Sequence, residues 1–347
     1  MSNISEIDKN FKIETKIGKK DIKFYSADST PFKVHGVFKE NGLYRRMPED
    51  VAKKVSDGVY WLHTNTAGGR VRFKTDSSYV SIHAKMGSVG KMGHFAFAGS
   101  IGFDLYADNV YRGTYIPPVD ITDLYEGTVE LGTKQMREIM ISFPLYSNVK
   151  ELYIGIEDSA SLGAPSPYKI EKPIVYYGSS ITQGGCASRP STSYQAPISR
   201  ELNADFINLG FSGNARAEDE MIDYIKSLDM SVFVLDYDHN APNPEHLEAT
   251  HEKLFMAVRE ANPNLPIIMM NRPKLYLNND EKKRLEIVKK TYENALSRDD
   301  KNVYLIDNTQ LCALCGNEGT VDNCHPTDFG FASMAHAIIP VLKDILK

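Results

Sequence analysis

The rhythm of apolar residues changes once along this chain, near residue 160, and that change restricts the architecture more than any other feature. From about Ile22 to about Glu157, short runs with alternating apolar and polar side chains are separated by turn residues. The runs 58–62 (GVYWL), 69–73 (GRVRF), 79–84 (YVSIHA), 103–106 (FDLY), 139–143 (IMISF) and 152–156 (LYIGI) are rich in β-branched and aromatic residues. They predict half-buried antiparallel strands, arranged as a β-sandwich of jelly-roll type. After the Gly-, Pro- and Ser-rich stretch 159–167 (SASLGAPSP), strands alternate with helices. Strands are expected at 174–177, 206–209, 232–236, 266–270 and 303–306. Between them, Leu285, Val288, Tyr292 and Ala295 lie along one helical face after the charged run 280–284. Five strands with helical crossovers predict a parallel sheet between two helix layers, a three-layer α/β/α domain. The expected division is 1–165 for the sandwich and 166–347 for the α/β domain. Pro197 and Pro340 fall inside stretches otherwise read as helix, where each should kink its helix or mark a late start.

With 42% hydrophobic and 24% charged residues, the chain has the composition of a folded globular protein rather than a disordered one. A formal net charge of −5 and the lack of any long basic run exclude a grip on nucleic acid. No apolar run is long enough to span a membrane, and the opening stretch 1–20 (MSNISEIDKNFKIETKIGKK) has no secretory pattern. The four cysteines, Cys186, Cys312, Cys315 and Cys324, are too few and too clustered for a secreted disulfide framework. A cytoplasmic protein is expected. Cys312 and Cys315 form a C-x-x-C pair, but no second pair with ligand spacing follows, so buried thiols are expected and no metal.

In open parallel sheets, ligands bind at the carboxyl ends of the strands, so chemistry is sought in the loops that follow them. The first such loop, Gly178-Ser179-Ser180-Ile181-Thr182, can present a serine at the start of a helix, where backbone N–H groups face a developing oxyanion. This block resembles the G-D-S-I-T block of the SGNH (GDSL-like) hydrolases, with Ser180 at the nucleophile position. Asn208 to Gly213, Asp238-His239-Asn240 and Asp322-Asn323-Cys324-His325-Pro326 resemble the family's second, third and last blocks, in the family's order. The segments 184–190 (GGCASRP) and 208–216, together with 102–106 (GFDLY), are similar to the subgroup that carries an N-terminal domain named after a G-x-D-L-Y signature. The resemblance covers roughly residues 20 to 340.

The resemblance implies a flavodoxin-like SGNH hydrolase domain behind a GxDLY β-sandwich, and ester hydrolysis with Ser180 as nucleophile, His325 as base and Asp322 as its partner. The implied oxyanion donors are the Ser180 and Gly213 backbones and the Asn240 side chain. Its two-domain members suggest O-acetyl groups on sugars or oligosaccharides as substrates, with neither metal nor organic cofactor. The expected partner is therefore a small-molecule or oligosaccharide ester, and not nucleic acid or membrane; nothing in the sequence sets an oligomeric state. Arg189, Asn214 and His239 lie in polar loops and are candidate substrate contacts, Arg189 having the alternative of pairing with a carboxylate. Asp104 and Tyr106 read as structural, and Asp328 as the N-cap of a helix over 329–346. Three positions depart from the family pattern: Ser179 stands for the usual Asp, His239 for a Gly and Ala241 for an Asp. They adjoin the reacting groups and bear on substrate scope. A lysophospholipase or thioesterase would need a long apolar groove that the sequence does not supply. A carbohydrate-binding protein that has lost activity would not need Ser180, Asp322 and His325 together.

Overall fold

The computed structural model describes residues 13–347, so most of the stretch read above for a leader lies outside the described residues. The chain forms two compact units. One holds the residues up to Arg46, Thr64–Pro167 and Ser188–Ser191; the other holds Met47–His63, Tyr168–Ala187 and Thr192–Lys347. Two short segments therefore lie on the other side of the division that composition suggests.

The first unit is antiparallel. Its strands are β1 (Ile22–Ser26), β2 (Lys33–His35), β3 (Phe38–Glu40), β4 (Leu43–Arg45), β5 (Arg70–Thr75), β6 (Tyr79–Met86), β7 (Phe103–Ala107), β8 (Val110–Tyr115), β9 (Leu124–Glu130), β10 (Arg137–Ser142), β11 (Val149–Glu157) and β12 (Leu162–Gly163). One sheet runs β1-β11-β6-β9 and the other β12-β5-β10-β7-β8, with β2 also on β5 and β3 paired with β4 as a separate hairpin. Alternate residues form a shared core: Val71 and Phe73 of β5, Val80, Ile82 and Ala84 of β6, Ile139 and Ile141 of β10, and Leu152, Ile154 and Ile156 of β11. This is the period-two pattern of strands with one face in a sandwich. The G-x-D-L-Y signature obeys it. Phe103 and Leu105 enter the core, which turns Asp104 and Tyr106 to the opposite face, where they hold Ser188–Ser191. Asp104, fully buried, accepts hydrogen bonds from Ser191 N at 2.9 Å, Ser191 Oγ at 2.6 Å and Arg189 Nη1 at 3.0 Å. Arg189 Nη1 is also 3.0 Å from the Tyr106 hydroxyl, and its guanidinium lies 4.1 Å from the centre of the Tyr111 ring.

The stretch 58–62 corrects the strand expectation: it is a helix, Asp57–Leu62. Its Tyr-Trp pair gives it a strand-like composition, but Ser56 caps it by accepting a hydrogen bond from Val59 N. Val59 and Leu62, three residues apart on it, then enter the core of the second unit beside Val55, the last residue of the preceding helix Glu49–Val55.

In that unit, β13 (Ile170–Gly178), β14 (Ala204–Gly210), β15 (Val232–Asp236), β16 (Ile267–Met270) and β17 (Val303–Ile306) make one parallel sheet in the order β14-β13-β15-β16-β17. Val175 and Tyr177 of β13 pack with helices Asp219–Lys226, Pro244–Ala261 and Asn279–Ser297. Tyr176, between them, points the other way, edge-on to Tyr194 and Phe206, and Tyr194 in turn stacks on Phe331 of helix Asp328–Ile345. The sheet thus has a helix layer on each face, the three-layer α/β/α fold. Pro197 sits in the first turn of helix Gln195–Leu202, where its missing N–H has no intrahelical partner to lose. Pro340 lies inside helix Asp328–Ile345 without ending it. That helix is capped by Thr327, whose hydroxyl accepts from Gly330 N, and not by Asp328, which is its first residue. Among the described residues, no helix is long and apolar enough to cross a membrane.

The strand order places a topological switch point at β13, whose neighbours β14 and β15 come next in the chain on opposite sides of it; ligands bind at such points in open α/β sheets. Strand β13 ends there on Gly178, opposite Gly210 of β14 and Asp236 of β15. A Cβ on Gly178 would lie 2.1 Å from both the Asp236 carbonyl oxygen and Thr182 Oγ1. Gly178→Ala is expected to lower stability by about 1–3 kcal/mol through overpacking, read from the midpoint of denaturant unfolding at unchanged m-value.

Candidate active site

The turn after β13 is built by its own side chains. Ser179 is extended and caps the short helix Ser180–Gln183, its Oγ accepting from Ile181 N at 3.1 Å. Gly184 closes that helix in the left-handed region, φ 102°. Thr182 Oγ1 donates to Asp236 Oδ2 at 2.9 Å, and Asn208 Nδ2 donates to the Thr182 carbonyl at 2.7 Å. Gln183 Oε1 accepts from Ser212 N at 3.1 Å. The turn is thus fastened to the loops that follow both neighbouring strands.

His325 Nε2 lies 2.9 Å from Ser180 Oγ, and His325 Nδ1 lies 2.8 Å from Asp322 Oδ2. The other Asp322 oxygen accepts from the backbones of His325 at 2.7 Å and Cys324 at 3.1 Å. Burial works against its charge, but the bonds from the His325 backbone and ring and from the Cys324 backbone outweigh burial and draw its pKa down to about 2. An ionised Asp322 only accepts, so Nδ1 carries a hydrogen, and once the ring is neutral Nε2 turns a lone pair to the Ser180 hydroxyl. The imidazole itself is raised to about 9, chiefly by the hydrogen bond to Cys324, with Asp322 adding to it and burial opposing. Cys324 is in turn held by Arg272, whose Nη2 is 2.7 Å from Sγ. Arg272 Nη1 is braced by Glu281 at 2.6 Å, and Glu281 also takes Lys274.

Asn240 accepts from Ala215 N through Oδ1 at 3.4 Å, which fixes the orientation of its amide. The Asn240 amide nitrogen has no hydrogen-bond partner among the described residues and remains available as a donor. Gly213 is exposed at φ +70° with open space on its Cβ side. Asn214 is folded onto its own turn, Nδ2 donating to the Ser212 carbonyl at 2.7 Å. Helix Asp57–Leu62 presses against it, since a Cβ on Gly58 would fall 2.0 Å from Asn214 Oδ1. The structure therefore brings Ser180, His325 and Asp322 into one hydrogen-bonded chain and sets Asn240 against the loop of Gly213 and Asn214. Of the candidate substrate contacts, Arg189 is engaged by Asp104, the carboxylate alternative. His239 has both ring nitrogens occupied, by Ser179 Oγ at 2.5 Å and by Asp238 Oδ1 at 2.8 Å.

Asp238, Arg272 and Cys324 escaped the sequence reading as parts of this site, and Ser179 entered it only as a departure from pattern. Asp322, Cys324 and His325 offer ligand atoms within 4.8 Å of one another, as do Asp236, Asp238 and His239. In both sets the imidazole nitrogens that a cation would need already hold hydrogen bonds. Cys312 and Cys315 are buried free thiols, and burial pushes Cys312 up to about 12, which makes it a poor nucleophile.

Residues 171–343 match the GDSL-like Lipase/Acylhydrolase family, and residues 22–162 match the N-terminus of Esterase_SGNH_hydro-type, the GxDLY family. The chain belongs to the GDSL-like (SGNH) lipases and acylhydrolases, in the form that carries a GxDLY N-terminal part. Among solved structures it is similar to a protein of Bacteroides ovatus ATCC 8483 described as a GDSL-like lipase. The two share 28% identity and a TM-score of 0.83, over 94% of this chain and 98% of the other. The salicylyl-acyltransferase SsfX3 from a tetracycline biosynthetic pathway has 19% identity and a TM-score of 0.77 over the same shares. A family two carbohydrate esterase from Clostridium thermocellum, in complex with cellohexaose, has 17% identity and a TM-score of 0.59, over 81% of this chain and 93% of the other. No curated protein matches the chain by sequence.

The contact between Cys324 and His325 generates a direct test. In an NMR titration of the histidine side chains, the His325 ring should titrate at about 9. Cys324→Ala removes the largest upward contribution, so the same resonance should move to lower pKa, with Asp322 still holding the ring in place.

Proposed function

We propose that the protein is a serine esterase that removes O-acetyl groups from sugars or oligosaccharides. The observation that carries this reading is the chain from Ser180 Oγ to His325 Nε2 and from His325 Nδ1 to Asp322 Oδ2. A serine hydroxyl is a weak nucleophile until an imidazole takes its proton. In this mechanism Ser180 Oγ attacks the ester carbonyl carbon while its proton passes to His325 Nε2, and Asp322 stabilises the imidazolium. The tetrahedral oxyanion is met by the Ser180 and Gly213 backbone N–H groups and by the Asn240 amide. Losing one such donor typically costs about 10²- to 10³-fold in rate. Collapse expels the sugar hydroxyl, protonated by His325. A water deprotonated by the same imidazole then cleaves the acetyl-enzyme.

The choice of acyl group rests on the surroundings. The loops after β14 and β15 present Ser212 and Asn240, groups suited to replace the water lost by a hydroxyl-rich substrate. A fatty-acyl groove would instead gain about 0.8 kcal/mol per buried methylene and would need a continuous apolar surface. The similarity to a carbohydrate esterase supports the same class of substrate.

Ser180→Ala should abolish turnover while the protein stays folded, and a fluorophosphonate should add its mass at Ser180 alone. With p-nitrophenyl esters, kcat/KM should be highest for acetate, lower for butyrate and nearly nil for octanoate, while acetylated oligosaccharides should release acetate faster than the simple ester. Because the base must be unprotonated, kcat/KM should fall as pH drops through its apparent pKa. The raised imidazole moves that limb above the ordinary histidine range, toward about 9. Full turnover in Ser180→Ala would falsify the nucleophile, and a rate that climbs from acetate to octanoate with no release from any sugar would replace the substrate class.

A further inference from the structure

Two of the three departures from the family pattern meet in space. Ser179 Oγ is 2.5 Å from His239 Nε2, and His239 Nδ1 is 2.8 Å from Asp238 Oδ1. The order serine, histidine, aspartate is thus repeated one residue before Ser180 on one loop and one residue before Asn240 on the other. The repeat is no second nucleophile: Ser179 is fully buried, and its oxygen already accepts from Ile181 N as a helix cap. The direction of the bonds follows from the ends. Asp238 is buried, yet the His239 hydrogen bond holds its carboxyl below the ordinary range against the effect of burial. An ionised Asp238 accepts only, so Nδ1 donates to it, and in the neutral ring Nε2 accepts the single proton of Ser179. The far end is anchored as well. Asp238 Oδ2 accepts from Arg272 N at 3.4 Å, and Arg284 Nη1 donates to the carbonyls of Asp238 at 2.6 Å and Ala241 at 2.9 Å.

We propose that Ser179, His239 and Asp238 are positioning residues, a relay that sets the distance between the Ser180 turn and Asn240 and so aligns the oxyanion donors. The inference rests on the esterase reading above. Donors must lie about 2.7–3.1 Å from the developing oxyanion, and a displacement of about 1 Å can cost on the order of 10²-fold in rate. The bridge joins the two positions next to Ser180 and Asn240, whereas the tie from Thr182 to Asp236 lies deeper, at the end of the strand. A glycine at position 239, the family's usual residue, could make no such bridge.

The test uses side chains that copy one imidazole nitrogen at a time, in the full-length protein with p-nitrophenyl acetate. Glutamine reaches the place of Nε2 and can accept from Ser179, while asparagine reaches the place of Nδ1 and can donate to Asp238. Ser179→Ala and His239→Asn should each lower kcat by about 10- to 100-fold, with KM changed less than about twofold. The double variant should be no slower than His239→Asn alone, because both changes break the same link. His239→Gln should recover kcat to within about threefold of the parent, although it leaves Asp238 Oδ1 without its donor and should melt below His239→Asn. Stability and rate would then rank the two variants in opposite order, which a merely structural role cannot do. Unchanged kcat in Ser179→Ala and His239→Asn, or a His239→Gln as slow as His239→Asn, would overturn the relay while the parent remains an active esterase. A parent that neither turns over the ester nor takes a phosphonate at Ser180 would overturn the esterase reading, and the relay with it.

Discussion

Three backbones converge where β13 ends, and the rest of the α/β unit is arranged around that convergence. Gly178 stands in register between Gly210 and Asp236, and neither glycine leaves room for a side chain: a Cβ on Gly210 would lie 2.2 Å from Gln183 N. With both positions bare, the turn carrying Ser180 can settle directly on the ends of β14 and β15. The loops leaving those two strands then bring Gly213 and Asn240 from either side. A serine at the switch point of a parallel sheet is a result of strand order; a serine flanked within one turn by groups from both neighbours is a result of two missing side chains.

Two carboxylates at the end of β15 show how burial and partners divide a charge. Asp236 is fully buried, and its partners among the described residues are the hydroxyls of Thr182 and Tyr194; burial, with the nearby Asp238, drives its carboxyl well above the ordinary range. Asp238, two residues on and just as inaccessible, has an imidazole and a backbone N–H and is held below that range. The two carboxyls are thus pushed in opposite directions, the first binding the floor of the Ser180 turn and the second the His239 ring above it.

Much of this was legible in the chain itself, for physical reasons that differ from part to part. The strands β13 to β17 are short apolar runs bounded by turn residues, and such runs have few alternatives once helical faces separate them. Asp322 and His325 were legible because three residues suffice for a carboxylate to reach both the backbone and the ring of the same histidine. The helix at Asp57–Leu62 was not, because its evidence is the Ser56 cap, and a five-residue window over Tyr60 and Trp61 excludes that residue. Nor was the pairing of Ser179 with His239: it depends on two parallel strands lying side by side, and its trace in the sequence is that both positions depart from pattern at once. The influence of Cys324 on His325 was hidden by adjacency, since neighbouring residues seldom face each other unless the backbone bends, as it does at Asn323 with φ 63°.

The exchange of Met47–His63 and Ser188–Ser191 between the halves bears on the order of events at the ribosome. When Leu162 and Gly163 have emerged, every strand of the sandwich has been made, yet Asp104 still lacks both Arg189 and Ser191. A buried carboxylate without partners is costly, so the sandwich reaches its final form only after the first strand of the other unit has been synthesised. The helices within Met47–His63 wait longer, with Val55, Val59 and Leu62 exposed until the parallel sheet exists to cover them. Neither unit can therefore complete its native contacts from one uninterrupted stretch of chain: each waits for a segment that the other half of the sequence supplies.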